Sequence, residues 1–535
     1  MKFSDFFGTQ TVRQASFILL LVGVLAKFAG FFRETLIAHE FGISADYDLF
    51  LIVFVVPAAI AITVNYTVSY ALTPFYQKIS FRFGSKLARN LVLRIFFFGG
   101  SFFICCSATT VMFAEYVVSI CALTAVESDQ QLAIQFLSIL IWLLPLYFGV
   151  AVMQTILQAE RFFFLSSIGP LIQNACVVLV LLIFRNAGIV SLAYAWCLGL
   201  FLWLSWLVFA VYYSQWKDEC SLASIVECSP KYLLGAFFVS SVQILFIEIW
   251  SQLYVVFDRV AAQLFRLEDG SIAILGYATT LYIMVLSVFA MSIGRAIFPF
   301  LSAQVAAGDK AEQIKLLSGG IRWMVLISLP VTGGLFALSE EVVQLVYQRG
   351  NFDAAATIAT AGALKIFCVG LPFESVYVIL VGYFYSLRDY RGLMIVSLFS
   401  IIVKILIGVC LTDSFGHLGL AASTAGAVVC RTLFLAFRLK RYHVSFLDNS
   451  ETLSLLWKSL LAILPGTLLV IYGFPLFSPF ILVFNEIPAF SNIIIILVGF
   501  FVVFGTYCLV LRIFRVPEWF VFVKKMQGVV DYMKK

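Results

Sequence analysis

The chain has 535 residues, of which 62% are hydrophobic and only 12% charged, and its formal net charge is +6. Apolar runs of about 18 residues or more recur along its whole length, which excludes an ordinary soluble domain and predicts an all-α integral membrane protein. The apolar–polar alternation of membrane β-strands is not seen, so the spans are predicted to be helices. The basic residues cluster in short loops, as membrane topology requires, and do not indicate nucleic-acid binding.

About fourteen transmembrane helices are predicted from hydropathy. Their expected starts lie near Val12, Asp46, Leu87, Gln131, Phe163, Ala187, Tyr232, Ser271, Gln313, Ala354, Gly392, Gly416, Leu453 and Ile487.

The distribution of basic residues predicts the orientation of the spans. Lys and Arg are concentrated in the loops that share a side with the N-terminus, whereas the opposite loops carry acidic residues such as Glu340 and Glu341. Both termini are therefore predicted to be cytoplasmic. The tail, residues 516–535, mixes aromatic residues with lysines, which is typical of an interfacial helix on anionic membrane lipids.

The first apolar run carries an unusual set of charges. Lys27, Arg33 and Glu34 lie inside it, and Asp48 opens the next span. An ionisable group at mid-membrane costs about 3 kcal/mol on insertion scales, so these side chains are expected to face a polar interior. Together with Gly30 the first three have helical spacing, which allows one shared face. We expect a cationic wall for an anionic substrate rather than a self-neutralising cluster, because adjacent helical residues such as Arg33 and Glu34 do not face each other.

A weak internal repeat divides the chain into two halves. A shift of about 225 aligns Phe-Phe-Arg-Glu at 31–34 with Val-Phe-Asp-Arg at 256–259, and a shift of 227 or 228 aligns residues 144–145 with 371–372 and 188–193 with 416–421. This pattern predicts two pseudo-symmetric six-helix bundles with the substrate site between them, and an appended helix pair. The predicted divisions are residues 1–214, 215–443, 444–515 and 516–535.

The second half also has charges within its spans. They are Glu248, Asp258, Arg259, Arg295, Lys365, Glu374, Lys404 and Arg431. Asp258 and Arg259 are open to either structural pairing or substrate contact, and Arg295 is open to substrate contact or to extension toward the inner face. Lys365, Lys404 and Arg431 lie near helix ends and are expected to extend toward the membrane surface. The surplus of cations suits a diphosphate, because guanidinium groups match its oxygens.

No enzymatic or metal site is predicted. The sequence has no phosphate-binding Gly-rich motif of the GxxxxGK type, and its loops are too short for a catalytic domain. The cysteines are scattered through apolar segments, and His39, His417 and His443 are far apart in the sequence. Transport without a cofactor is expected, with a monovalent cation as a possible coupled ion.

Several segments resemble the lipid II flippases of the MurJ (MviN) family, within the multidrug/oligosaccharidyl-lipid/polysaccharide exporter superfamily. The resemblance runs over about four-fifths of the chain, and it is carried by Gly-Phe-Phe-Arg-Glu at 30–34, Tyr-Asp-Leu-Phe at 47–50, Phe-Pro-Phe-Leu-Ser at 298–302, Arg-Gly-Asn-Phe-Asp at 349–353, Phe-Tyr-Ser-Leu-Arg-Asp-Tyr-Arg at 384–391 and Gly-His-Leu-Gly-Leu-Ala at 416–421. It implies a central cationic cavity that opens alternately to the two sides. It also implies an undecaprenyl-diphosphate-linked glycan as substrate and the bacterial cytoplasmic membrane as location.

The family pattern carries over only in part. Arg33 matches a family cavity arginine, Asp48 matches the acidic residue after it, and Lys27 stands where a second arginine is found. Ala61 and Thr280 stand where the family has further cations.

The sequence thus predicts a monomeric flippase for lipid-linked peptidoglycan precursor. The expected substrate-binding residues are Lys27, Arg33, Asp48, Arg259 and Arg295, and further cavity or cation-coupling charges are expected at Glu34, Asp258, Glu248 and Lys404. The alternatives are a flippase for another polyprenyl-diphosphate-linked oligosaccharide, such as an O-antigen unit, and a cation-coupled drug exporter.

Overall fold

The computed structural model describes residues 12–120, 127–184, 187–215, 252–387, 389–442, 450–481 and 488–518, together with residues 245, 249 and 250. Every regular element in these ranges is helical. Twelve of the described helical segments are long and apolar enough to cross a membrane. The all-helical membrane architecture predicted from hydropathy is therefore confirmed, although the span expected near Tyr232 lies partly outside the described residues.

The chain divides into two compact units, Met1–Ala273 and Ile274–Lys535. The predicted boundary after residue 214 borders residues 216–244, which lie outside the described residues, and it stays a prediction.

The first unit holds ten described helices. These are α1 (Val12–Phe41), α2 (Ala45–Phe83), α3 (Ser85–Met112), α4 (Ala114–Ile120), α5 (Glu127–Leu140), α6 (Leu143–Ala159), α7 (Phe163–Ser167), α8 (Gly169–Ile183), α9 (Val190–Gln215) and α10 (252–264). Helix α6 packs against α2, α3 and α9, and α1 packs against α8. The apolar residues that make these segments membrane-soluble also form the buried core of the unit.

A polar triad joins three helices of the first unit. Arg89 of α3 donates to both carboxylate oxygens of Glu160, from Nε to Oε1 at 2.5 Å and from Nη2 to Oε2 at 2.6 Å. The Tyr76 hydroxyl of α2 also donates to Oε1 of Glu160, which lies at the end of α6. Both members of the ion pair have side chains only 11% exposed. The triad therefore satisfies a buried carboxylate at the place where three helices meet.

The second unit is built from eight helices and one 3-10 turn in the described residues. They are α11 (Ser271–Ala307), which begins just before the unit boundary, α12 (Lys310–Ala337), α13 (Ser339–Tyr347), α14 (Ala354–Ser386), α15 (Tyr390–Phe415), α16 (His417–Arg438), the 3-10 turn Leu439–Tyr442, α17 (Ser450–Ile481) and α18 (Pro488–Ile513). The core lies where α12, α14 and α16 meet, and α17 and α18 pack together and against α12.

Helix starts in both units follow local sequence signals. Ser44, Asp309, Asp353 and Asp389 stand at the N-caps of α2, α12, α14 and α15, and each side chain accepts a hydrogen bond from an amide of the first turn. Such caps satisfy backbone donors that have no partner inside the helix.

The end of the described chain is attached to the second unit through an ion pair. Arg322 of α12 donates from Nη1 to Glu518 Oε1 at 2.9 Å and from Nε to the Thr452 hydroxyl of α17 at 2.9 Å. The side chains of Arg322 and Glu518 are 15% and 16% exposed. This contact connects α12 with α17 and with the segment that follows α18.

Candidate functional site

Arg33 of α1 lies in a polar cluster that three helices of the first unit build. Its Nη1 donates to Asn174 Oδ1 of α8 at 2.7 Å, and its guanidinium carbon lies 4.6 Å from the ring centre of Trp196 on α9. Its Nη2 forms an ion pair with Glu34. The Arg33 side chain is 15% exposed, and its Nε is buried without a hydrogen-bond partner among the described residues. The guanidinium is thus held in place with part of its donor capacity unused.

Asn174 is the residue that fixes this cluster to the backbone of α1. Its Nδ2 donates to the carbonyl oxygen of Ala26 at 3.1 Å. A Cβ on Gly30 would lie 3.3 Å from the same nitrogen, so the absence of a side chain at Gly30 lets Asn174 lie against α1. Neither Asn174 nor Trp196 was predicted from the sequence. The sequence signal that could have identified Asn174 is an amide side chain within an apolar span, because such a side chain needs a hydrogen-bond partner there.

The expectation that Arg33 and Glu34 would not interact was wrong. The two side chains pair directly, and Glu34 is 16% exposed. Successive positions point in different directions around a helix, but the Arg side chain is long enough to fold back to the neighbouring carboxylate. Lys27 lies earlier on α1 and is exposed.

Asp48 and Arg259 both contact the beginning of α11. Asp48 is 8% exposed, and its two oxygens accept hydrogen bonds from the amides of Ile272 and Ala273 at 3.2 and 2.7 Å. Arg259 of α10 donates to the carbonyl oxygen of Ile272 at 3.0 Å. The carboxylates of Asp258, which precedes it in the sequence, and of Asp48 attract its guanidinium. A carboxylate at a helix N-terminus is favoured by the exposed amides and the helix dipole. These contacts position the segment that leads into α11.

The expected extension of Lys404 and Arg431 toward the membrane surface was also wrong. Lys404 of α15 is 0% exposed. Arg431 of α16 forms an ion pair with Glu374 of α14, and its guanidinium carbon lies 4.3 Å from the ring centre of Tyr377. The rule for helix ends assumes a lipid-facing side chain, whereas these two cations are directed into the unit.

The side-chain contacts of two predicted site residues lie outside the part of the chain that the structure describes. Glu248 lies outside the described residues, and Arg295 lies on α11 but its side chain is outside them. At the positions without the family's cations, Ala61 is fully buried and the Thr280 hydroxyl donates to the Gly276 carbonyl oxygen at 3.0 Å.

The fold, with charged side chains inside its spans, is similar to that of solved membrane transporters. A solved structure described as "Lipid II flippase MurJ, inward closed conformation" covers 93% of this chain and 99% of its own, with a TM-score of 0.73 and 19% identity. An inward-facing multidrug resistance MATE transporter of the MOP superfamily covers 81% of this chain and 99% of its own, with a TM-score of 0.65 and 14% identity.

Sequence comparison gives the particular family. The family model "Lipid II flippase MurJ" matches residues 37–489, and the chain belongs to this family. A probable lipid II flippase MurJ of Buchnera aphidicola subsp. Schizaphis graminum is 25% identical over 467 residues, which is 85% of this chain and 88% of the relative. One from Aquifex aeolicus is 26% identical over 386 residues, which is 70% of this chain and 72% of the relative. The family match begins at Ile37, just after Arg33 and Glu34, and the predicted family is confirmed.

Proposed function

We propose that this protein moves lipid II from the inner to the outer leaflet of the bacterial cytoplasmic membrane by alternating access. The observation that carries this proposal is the family match over residues 37–489. The relatives that match most of the chain are named as probable lipid II flippases. The polar cluster around Arg33 supplies a guanidinium suited to the diphosphate of such a substrate.

Arg33 is the residue that we assign to the diphosphate. A planar guanidinium binds phosphate oxygens through two parallel hydrogen bonds, and the buried Nε of Arg33 has no partner among the described residues. Asn174 binds Nη1 and the Trp196 ring lies against the guanidinium face, so the Nε edge is occupied only by Glu34 at Nη2 among the described contacts. Lys27, an exposed residue, adds a second positive charge on the same helix.

Glu34 acts as the partner of Arg33 before substrate binds. A charge within a membrane span is costly when alone, so the Glu34 carboxylate stabilises the empty state. A diphosphate carries more negative charge than one carboxylate and displaces Glu34 from Nη2. The exchange drives alternating access to the extent that its free energy differs between the inward-open and outward-open conformations.

The experiment is complementation of a flippase-depleted bacterium, with outward-facing lipid II and membrane-inserted protein measured in the same cells. Arg33→Ala is expected to abolish lipid II appearance outside, and Arg33→Lys to retain a small part of it because charge remains without the planar fork. Lys315→Gln is the matched control, since Lys315 is exposed and pairs only with Glu312 among the described ion pairs. Normal flipping by Arg33→Ala would refute the assigned role.

Other predicted substrate contacts remain predictions. For Asp48 and Arg259 the observed bonds to the start of α11 favour a positioning role. Arg295 is kept as a candidate contact, and Asp258, Glu248 and Lys404 as candidate cavity or cation-coupling charges.

The second candidate function is transport of another polyprenyl-diphosphate-linked oligosaccharide. It is favoured by the absence of cations at Ala61 and Thr280, where the resemblance leads one to expect them. A strain that lacks its O-antigen flippase discriminates the two, because rescue there without rescue of lipid II transport would select this alternative. A cation-coupled drug exporter is less consistent with a cluster built around an arginine.

We also propose that both termini are cytoplasmic and that the protein works as a monomer. In the second unit Lys310 donates to the carbonyl oxygen of Tyr442 at 3.5 Å, so the start of α12 and the basic segment after α16 meet at one end. This clustering supports a cytoplasmic position for that end. Labelling of single cysteines placed at Lys315 and at Glu340 from outside intact cells tests it, with labelling expected only at position 340.

A further inference from the structure

The second unit has an open groove between α14 and α16, with a volume of 480 Å³. Lys365 is the charged residue among the described residues that line it, and the rest are apolar or glycine. Small residues, Gly362, Ala422 and Gly426, are among those that line it, and the lining residues of each helix recur at helical spacing. Val369 at the groove is 53% exposed, so the groove opens to the surroundings of the chain.

Lys365 is a single cation part of the way along an otherwise apolar groove. Phe336, in the last turn of α12, marks the end where α12 finishes and α14 and α16 begin. Helix α14 has 33 residues, or about 50 Å, which exceeds the roughly 30 Å of hydrocarbon by several turns. Lys365 lies about 16 Å along α14 from its start, close enough to the membrane boundary for its ammonium to reach the headgroup level. Val369, one turn further along α14, is apolar.

The repeat places a second groove at the corresponding position of the first unit. That groove has a volume of 970 Å³ and is lined by residues of α3, α6, α8 and α9 without a Lys, Arg, Asp or Glu. The shift of 228 that aligns residues 188–193 with 416–421 pairs the α9 side of the first groove with the α16 side of the second: Tyr194 with Ala422, Cys197 with Ala425, Leu198 with Gly426 and Phe201 with Val429. The described lining of the first groove has no cation, whereas that of the second has Lys365.

We propose that the groove of the second unit binds one anionic phospholipid of the surrounding bilayer. The lipid phosphate pairs with the Lys365 ammonium, and one acyl chain lies along the deeper apolar part. An open apolar groove at membrane depth is filled by lipid chains, because water there has no polar partners. The positive charge of Lys365 favours a lipid with an anionic headgroup. Glu341 attracts Lys365 from α13, but no ion pair of the described residues joins the two, which leaves the ammonium accessible to a phosphate.

The test is native mass spectrometry of the purified full chain with added phosphatidylglycerol or phosphatidylcholine, and it needs no transport. Wild type is expected to retain phosphatidylglycerol preferentially, and Lys365→Gln to lose about fivefold of that preference. Lys365→Arg should keep it. Lys458→Gln on α17 is the matched control, because Lys458 does not line the groove. Ala422→Leu should lower retention of both lipids by narrowing the chain site.

Two results would overturn the proposal. One is equal phosphatidylglycerol retention by wild type and Lys365→Gln when both proteins unfold at the same temperature. The other is thermal protection of wild type, but not of Lys365→Gln, by inorganic pyrophosphate, which would make Lys365 part of a diphosphate site.

Discussion

Asp48 Oδ1 accepts a hydrogen bond from the backbone amide of Ala273, with an N···O distance of 2.7 Å. Ala273 lies 225 residues further along the chain. The shift of about 225 seen in the sequence repeat pairs these same two positions. An acidic residue in the first turn of α2 therefore caps α11, the helix that corresponds to α2 in the repeat. Asp48 stands out in the sequence because of its charge within an apolar region, but its observed contacts stabilise the start of a helix.

Asp48→Ala is expected to lower the free energy of unfolding by about 1 kcal/mol or more, because two amides at the start of α11 lose their acceptor. Thermal unfolding in detergent measures the loss. Asp353→Ala is the matched control for the loss of a helix cap. The Asp353 side chain accepts a hydrogen bond from the Ala356 amide at the start of α14, at 2.8 Å. Unchanged stability combined with lost transport would instead support direct contact between Asp48 and substrate.

The Arg89–Glu160–Tyr76 triad predicts a graded response. Glu160→Gln leaves the buried Arg89 without its countercharge and is expected to cost about 3 kcal/mol. Tyr76→Phe removes one hydrogen bond and is expected to cost about 1 kcal/mol. Unfolding temperatures in detergent should fall in that order. A larger loss for Tyr76→Phe than for Glu160→Gln would show that the ion pair is not what joins these helices.

Gly270 and Gly308 offer a matched pair of substitutions at positive φ, at 86° and 74°. Alanine at either position meets the cost of the left-handed conformation, about 1 kcal/mol. At Gly270 the added Cβ would also lie 2.5 Å from the carbonyl oxygen of Ile43, whereas nothing lies within 4 Å at Gly308. Gly270→Ala should therefore unfold at a clearly lower temperature than Gly308→Ala. Equal unfolding temperatures for the two variants would contradict the close approach of Gly270 to Ile43.

Glu341 predicts a dependence of stability on pH. Burial raises the pKa of Glu341 above its ordinary value of 4.5, with repulsion from Glu340 adding to the rise. Because the folded pKa is the higher one, folding favours the protonated form, and stability falls as pH rises from below 4.5 through the raised pKa. Glu341→Gln should be more stable than wild type at pH 7, and the difference should vanish in acid.

Thermal unfolding of both proteins over this pH range measures the effect. Glu340→Gln is the control, since Glu340 is exposed and its replacement should leave most of the difference in place. A lower unfolding temperature for Glu341→Gln at pH 7 would mean that the Glu341 carboxylate stabilises the fold.

Hydropathy and charge were enough to predict the architecture. Starts expected near Ala354, Gly392 and Gly416 are observed at Ala354, Tyr390 and His417, because long apolar runs and polar caps are local properties of the sequence. The family followed from short motifs in the correct order.

The partners of the charged residues were not predictable in the same way. Arg33 binds Asn174, which is 141 residues away, and Arg431 binds Glu374, which is 57 residues away. Spacing along one helix gives the direction of a side chain but not the residue that another helix brings to it. For the same reason the Arg33–Glu34 pair was missed, since its geometry depends on how Asn174 and Trp196 leave space around the guanidinium.

The link between Arg322 and Glu518 determines where the chain can be shortened or extended. A truncation that removes Glu518 would remove a carboxylate partner of the largely buried Arg322 and detach the segment after α18 from α12. Purification handles and fluorescent reporters are therefore best joined beyond residue 518, and a shortened version intended for crystallisation should retain that glutamate.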